Sequence, residues 1–567
     1  MDSVYLLPPP PYTETKTYTS SVIRSIAPSI MMSFLFLGLN LTFVRGTDAS
    51  RLFLIRTEIL PPSPSPPPPP QQRSHNIDIN FMQGVPDTSS IALLTPHQMG
   101  VLLTFQPANS QYIKDPVVLT NVRKACLHCL QKINGTDRES EINKKYTNIF
   151  IALPFLFLQN SAFTIPQLRI RSEVFKNLIM DDKIDEILVG DFVKKSSTVH
   201  ARLAKKFNFQ QRIYNEADKY SNTNDYGKAL SSLLKIDSKV DPDMLINSTK
   251  ESLPNRVFTN LSHDEREKLY TRVNSNIAAT LVNEKILENR LRKIKKNRSP
   301  GVDGLSIENL ISILYNGNSQ KGLKDQIVKE YVIFLKKFLT GDLSLHQNQV
   351  FYSLKLIGIP KNSAECRIIM ITGLHSKIAF SLVTSSKRKK IVENKLLKYQ
   401  YGAKRSGSES VIHIIQQILI QNPDYDLFSA DAVKAFYKLN RDIALEILKN
   451  SFPEVFNMFM AKYNNSADAF VYGTAEGVLK FQQSEGGSPG SPEMSFLYEL
   501  GISTFINNIA DLIRSNDQPY TDKGTIAGFI DDFYWAAPFP KMIEIIQFVQ
   551  RNGPKYVYTL NMDKCTY

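Results

Sequence analysis

The chain has 567 residues, of which 42% are hydrophobic, 22% charged and 10% aromatic. That composition excludes a wholly disordered chain, a collagen-like chain and a multi-span membrane protein. Four cysteines exclude a disulfide scaffold, so packing has to hold the core. Sixty-eight Lys and Arg against 54 Asp and Glu leave a net charge of +14, which favours a polyanionic partner, nucleic acid before membrane surface. The length predicts about three units plus connecting segments, since domains run to roughly 100–200 residues.

Residues 25–44 carry no charge and lie between Arg24 and Arg45. About 20 such residues can span a bilayer, but Pro28, Asn40 and several serines weaken that reading. The alternatives are a hydrophobic piece without membrane function and a wrongly joined start, so residues 1–60 are set apart as an N-terminal segment. Residues 61–70 are a polyproline run, read as a solvated linker over 61–90. Membrane association rests on residues 25–44 alone; without it, nucleus or cytoplasm is the expected location.

Residues 95–280 read as mostly helical. Apolar residues recur at helical spacing over 118–133, 175–188 and 203–214, and residues 226–234 resemble one helix of a helical hairpin. Pro254 breaks the pattern, Ser262 is placed to cap a helix starting at His263, and a charged helix is predicted over 277–296. Cys126 and Cys129 form the one metal-like pattern, but zinc takes four ligands, commonly two pairs, and no second pair exists. Two helical cysteines in a core are the default expectation.

The chemistry begins near Lys293. Ser299-Pro-Gly-Val-Asp303-Gly304 follows a basic helix end and reads as a basic loop. Two strand-like stretches carry Lys361 and Arg367, cations able to orient phosphate oxygens, although ordinary strand-end charges explain them equally. A short apolar run from Asp426 delivers Asp431 at its end, with a helix predicted from Arg441. Residues 525–535 set Asp531 and Asp532 between apolar and aromatic arms, a pattern for a hairpin with acids at its tip. Paired acids are costly to bury unpaired, and a divalent metal gives them a reason to sit there. Between these acids lies Glu485-Gly-Gly-Ser-Pro-Gly-Ser-Pro492, whose glycines permit close backbone approach to a ligand, with a helix predicted from Met494.

Taken in order, these elements resemble the palm of retroelement reverse transcriptases of the eukaryotic non-LTR-like kind. Gln400-Tyr-Gly402, Gly407-Ser-Glu409 with His413, Asp431-Ala-Val-Lys-Ala-Phe436 with Arg441, Gly487-Ser-Pro489, Phe529-Ile-Asp-Asp532 and Leu560-Asn-Met-Asp-Lys564 occur in that family's order over residues 280–567. The resemblance implies an α+β right-hand fingers–palm domain over 285–567, with an antiparallel palm sheet and a mostly helical domain before it.

It also implies roles. Asp431, Asp531 and Asp532 hold two Mg2+ ions; Lys361 and Arg367 contact the incoming dNTP; Phe436 lies under the sugar and excludes a 2′-hydroxyl; Gly487 packs on template and nascent pair. Lys564 protonates pyrophosphate or positions its loop. The partners implied are an RNA template and a DNA primer, held by their backbones. Three departures stand out. Gly486 occupies the family's Gln position, Tyr437 follows Ala-Phe where Asn or Asp is frequent, and the sequence ends at Tyr567 with no thumb in view, as a truncated copy or incomplete gene would. The competing readings are a catalytically degenerate relic that only binds nucleic acid, an RNA-dependent RNA polymerase, which Phe436 opposes, and a membrane-anchored interaction protein.

Overall fold

The structure is a computed structural model. It describes residues 41–45, 52–56, 88–105, 115–158, 164–189, 240, 242–253, 263–274, 280–296, 298–317, 320–361, 365–474, 477–514, 524–556 and 558–567. The proline run, residues 25–40 of the hydrophobic stretch, the helices expected at 203–214 and 226–234, Pro254 and Ser262 lie outside the described residues. No helix among the described residues is long and apolar enough to cross a membrane.

The chain divides into two compact units. The first comprises residues 1–76 and 207–235, and its described part is an antiparallel ribbon of β1 (Leu41–Arg45) and β2 (Leu52–Arg56), with Leu41 opposite Arg56. The end of the apolar stretch is therefore strand. The second comprises residues 77–206 and 236–567. It is α+β and mostly helical, with one mixed and one antiparallel sheet.

The first long helix of the second unit, Pro116–Gly135, starts where the sequence permits it. Asp115 accepts from the amides of Val117 and Val118 at 3.0 and 3.1 Å, and Pro116 needs no amide partner in the first turn. Its buried stripe, Val118, Val122, Cys126, Cys129 and Ile133, follows the helical repeat. Burial pushes both thiols up, that of Cys126 to about 12, as for core cysteines. The next expected helix is displaced: it runs Ile165–Met180 instead of 175–188. Gln167 accepts from the Thr164 amide at 2.9 Å and fixes the start, while the chain turns at Asp182 with φ +57°. The helix expected over 277–296 is shorter, Glu284–Lys293, because Asn283 caps it by accepting from Ile286.

Helix Pro116–Gly135 packs on Lys321–Leu339, so the earlier helices share one hydrophobic core with the rest of this unit. Arg123, 2% exposed, crosses that seam and donates to the carbonyls of Ile313 and Ser312 at 2.9 and 2.8 Å. It thereby neutralises the carbonyl end of helix Ile307–Leu314.

The mixed sheet has the order β4-β3-β6-β7, from β3 (Leu354–Pro360), β4 (Cys366–Thr372), β6 (Ala467–Thr474) and β7 (Gly477–Gln483). Only the β3–β6 pairing is parallel. The antiparallel sheet is β5-β9-β8, from β5 (Tyr425–Ala430), β8 (Thr525–Phe529) and β9 (Asp532–Pro538). Along β9 the buried Phe533, Trp535 and Ala537 alternate with half-buried Asp532 and Tyr534, the period of a strand with one face in the core. Trp535 stacks on Phe428 across the pair, ring centres 5.2 Å apart. Each such ring contributes roughly 1.5–3 kcal/mol by burial, and a slip of one residue would bury the acid of β9 instead.

Candidate active site

Strand pairing brings the three acids to one end of the small sheet. Ala430 at the end of β5 lies opposite Phe533 of β9, so Asp431 leaves its strand beside Asp532. Phe529 pairs with Asp532, leaving Ile530 and Asp531 as a two-residue turn. The sequence is then rejoined by its last residues. Asn561 donates its amide to the Asp431 carbonyl at 2.8 Å, Val433 to Thr559 at 2.9 Å, and Ser429 and Thr566 exchange bonds of 2.8 and 3.1 Å. Residues 559–566 thus run along the free edge of β5 and carry Lys564 to the acids.

The charges are coupled. Lys564 Nζ stands 3.2 Å from Asp431 Oδ2, and Asn561 Nδ2 donates to the same oxygen at 3.0 Å. Burial, then Asp531 and Asp431, pushes the Asp532 carboxyl up to about 6, against the pull of Lys564. Burial also raises Asp531, with Asp431 adding to it and Arg367 and Lys564 opposing. Beneath them Tyr498 and Tyr558 are fully buried, and the acids add to the burial that raises both phenols.

The donor set suits a hard divalent cation: three carboxylates whose mutual repulsion a cation would relieve. The ligand geometry expected for two magnesium ions is not formed. Among the described residues no group of three His, Cys, Asp or Glu side chains is gathered closely enough to hold a metal ion. One oxygen of Asp431 is engaged by Lys564 and Asn561 instead.

The glycine loop lies under the turn that follows Asp431. Gly486 and Gly487 donate to the carbonyls of Leu439 and Phe436 at 3.1 and 2.8 Å. Gly486 has φ +67°, and a Cβ there would sit 1.9 Å from the Tyr437 carbonyl oxygen. Glycine at this position is therefore what the backbone favours. Gly487 is buried with its Cα against Met494, and the exposed glycine of the loop is Gly490, at φ +104°. Arg441, 1% exposed, fixes the loop: Nε donates to the Gly486 carbonyl at 2.8 Å and Nη2 to that of Gln483 at 3.1 Å. Glu485 accepts from the amides of Arg441 and Gly486 at 2.9 and 3.2 Å.

The remaining residues singled out in the sequence separate. Phe436 is half-buried, its ring edge-on to Tyr498 at 5.2 Å. Tyr437 donates to the Ile368 carbonyl and ties this turn to β4. Arg367 is exposed on β4 and close enough to oppose the rise of Asp531. Lys361, at the tip of the β3–β4 hairpin, pairs with Glu365 at 2.5 Å.

Two structural acids escaped the sequence reading. Asp303, read as part of a basic loop, is 2% exposed and accepts from the amides of Leu374 and Leu305, so it caps helix Leu374–Ser386. Burial still pushes it to about 6. Its Asp-Gly signal was visible, its distant partner was not. Glu493 pairs with the buried Lys462 and accepts from the Tyr463 hydroxyl at 2.9 Å, anchoring the start of helix Met494–Arg514.

No protein-family model matches the chain, and no curated protein sequence matches it significantly. Among solved structures it is similar to apo telomerase from Candida tropicalis, at 12% identity and a TM-score of 0.31, over 65% of this chain and 73% of that one. It is also similar to telomerase from Candida tropicalis in complex with the TWJ fragment of telomeric RNA, at 12% identity and a TM-score of 0.31, over 82% of this chain and 75% of that one.

Proposed function

We propose that this chain is an RNA-directed DNA polymerase domain of a retroelement, extending a DNA primer along an RNA template. The observation that supports the reading is the arrival of Asp431, Asp531 and Asp532 at one sheet end, with Lys564 paired to Asp431. Residues 285–567 are then fingers and palm, and residues 95–280 a helical domain before them.

In this reading each group has a task. Asp431 and the Asp531–Asp532 pair would be the residues to hold magnesium, which would supply activation of the primer 3′-hydroxyl and charge compensation for the leaving pyrophosphate. A cation held through Asp431 Oδ2 would have to displace Lys564 from that oxygen. Arg367 and Lys361 orient the triphosphate, Lys361 after leaving Glu365. Phe436, braced by Tyr498, lies under the sugar and selects against a 2′-hydroxyl. Lys564, once released, would donate a proton to pyrophosphate. The Arg441–Glu485 brace keeps the glycine loop flat against the Asp431 turn, and the basic surplus holds the duplex by its phosphates.

Primer extension on poly-rA with oligo-dT, dTTP and magnesium tests this. Incorporation is expected, and Asp531→Ala is expected to lower it by roughly three orders of magnitude, about 4 kcal/mol of barrier. A second reading, a relic that binds nucleic acid without turnover, is favoured by two observations: the acids do not come close enough together to hold a metal ion among the described residues, and Asp431 is already paired. Retention of primer–template with no incorporation at any magnesium concentration would select it.

A further inference from the structure

The turn that carries Asp531 has a backbone its sequence does not favour. Ile530 adopts φ +64°, the left-handed region, where a β-branched residue is strained and a two-residue hairpin turn ordinarily places Gly, Asn or Asp. Something outside the hairpin has to hold it. Gln400, 3% exposed, does so with both ends of its amide: Nε2 donates to the Ile530 carbonyl at 3.1 Å, and the Ile530 amide donates to Oε1 at 3.2 Å. The residues on either side join in. Gly528 donates to the Tyr399 carbonyl at 2.9 Å, and Tyr401 donates to the Gly528 carbonyl at 2.8 Å.

We infer that Gln400 is a positioning residue whose side-chain amide acts as a surrogate peptide group, clamping the strained Ile530 and so fixing the direction in which Asp531 and Asp532 leave the turn. Its consequence for catalysis rests on the polymerase reading; the clamp itself rests on geometry alone. The two bonds satisfy both backbone groups of a residue that the hairpin ladder leaves unpaired. Neighbouring packing leaves no slack: a Cβ on Gly402 would come within 2.6 Å of Ile530 Cγ1 and 2.2 Å of Glu499 Oε1. Leucine at position 400 keeps the volume and loses both bonds, whereas Ile530→Gly removes the strain that the bonds oppose.

The test is hydrogen–deuterium exchange on the full chain for the wild type, Gln400→Leu, Ile530→Gly and the double variant, with primer extension alongside. Gln400→Leu is expected to speed exchange in the hairpin peptide around residues 528–532 roughly tenfold to a hundredfold and leave β3–β4 unchanged. It should lower kcat without moving KM for primer–template, and adding Ile530→Gly should restore part of kcat. Unchanged exchange at the hairpin in Gln400→Leu would overturn the clamp, and so would acceleration spread equally over both sheets. If the wild type extends no primer, the polymerase reading fails, and exchange still decides the clamp.

Discussion

Lys564 Nζ lies 3.2 Å from Asp431 Oδ2, an ion pair that crosses from the last residues of the chain to the acid at the end of β5. A divalent cation bound through this oxygen would compete with the ammonium for it. Removing the ammonium leaves Asp431 facing Asp531 and Asp532 uncompensated, a stronger pull on a cation. Lys564→Met is therefore expected to tighten Mn2+ binding, read by electron paramagnetic resonance, by up to roughly fivefold, the value of a partly exposed ion pair. Extension should fall in the same variant. Weaker Mn2+ binding would contradict the competition.

Gly486 gives a sharper prediction. Its positive φ and the Tyr437 carbonyl 1.9 Å from its Cβ position leave no place for a side chain. Gly486→Gln is expected to cost about 2 kcal/mol or more in stability, from left-handed strain and overpacking together, and to lower extension. Chemical denaturation measures the first. An increase in extension would contradict the placement of this loop and support the missing-glutamine reading.

Acid pH should weaken any cation binding by these acids. Asp532 is raised to about 6 and Asp531 is raised above its ordinary value, so both charged forms are disfavoured in the folded protein. A cation binds the charged forms and must displace protons. Apparent Mn2+ affinity is expected to fall as pH drops through about 6, and excess magnesium should move the acid limb of extension to lower pH. A flat affinity between pH 5 and 7 would contradict the coupling.

Glu499, 1% exposed in helix Met494–Arg514, is raised by burial to about 8, with Lys404 opposing. A carboxyl whose folded value lies above its unfolded value contributes stability that is complete at low pH and lost as pH rises through about 8. Thermal stability of the wild type should therefore decline between pH 5.5 and 8.5, by a share on the order of a few kcal/mol for a shift this large. Glu499→Gln should flatten that decline. Equal slopes in both proteins would show that Glu499 is charged and compensated in the fold.

The sequence made strands and acids legible because their signals are local. The alternation in residues 525–538 prescribes the hairpin, and the apolar run before Asp431 prescribes the neighbouring strand. Boundaries failed where a cap decided them, as at Thr164 and Asn283, since one hydrogen bond outweighs a few apolar positions. Roles failed where the partner is far away in sequence. Asp303 caps a helix 71 residues on, and Gln400 grips a turn 130 residues on. The conformation of the glycine loop was hidden for a third reason: a motif compares side chains, and Gly486 is decided by backbone φ.

Single-turnover incorporation of one dTTP onto an RNA-templated DNA primer tests the central claim most directly, with the wild type run beside Asp431→Asn and Asp532→Asn at saturating magnesium. Incorporation by the wild type is expected, with a loss of at least about a thousandfold in each variant and primer–template affinity unchanged. Equal incorporation by wild type and variants, or none by any of them with the duplex still bound, would contradict it.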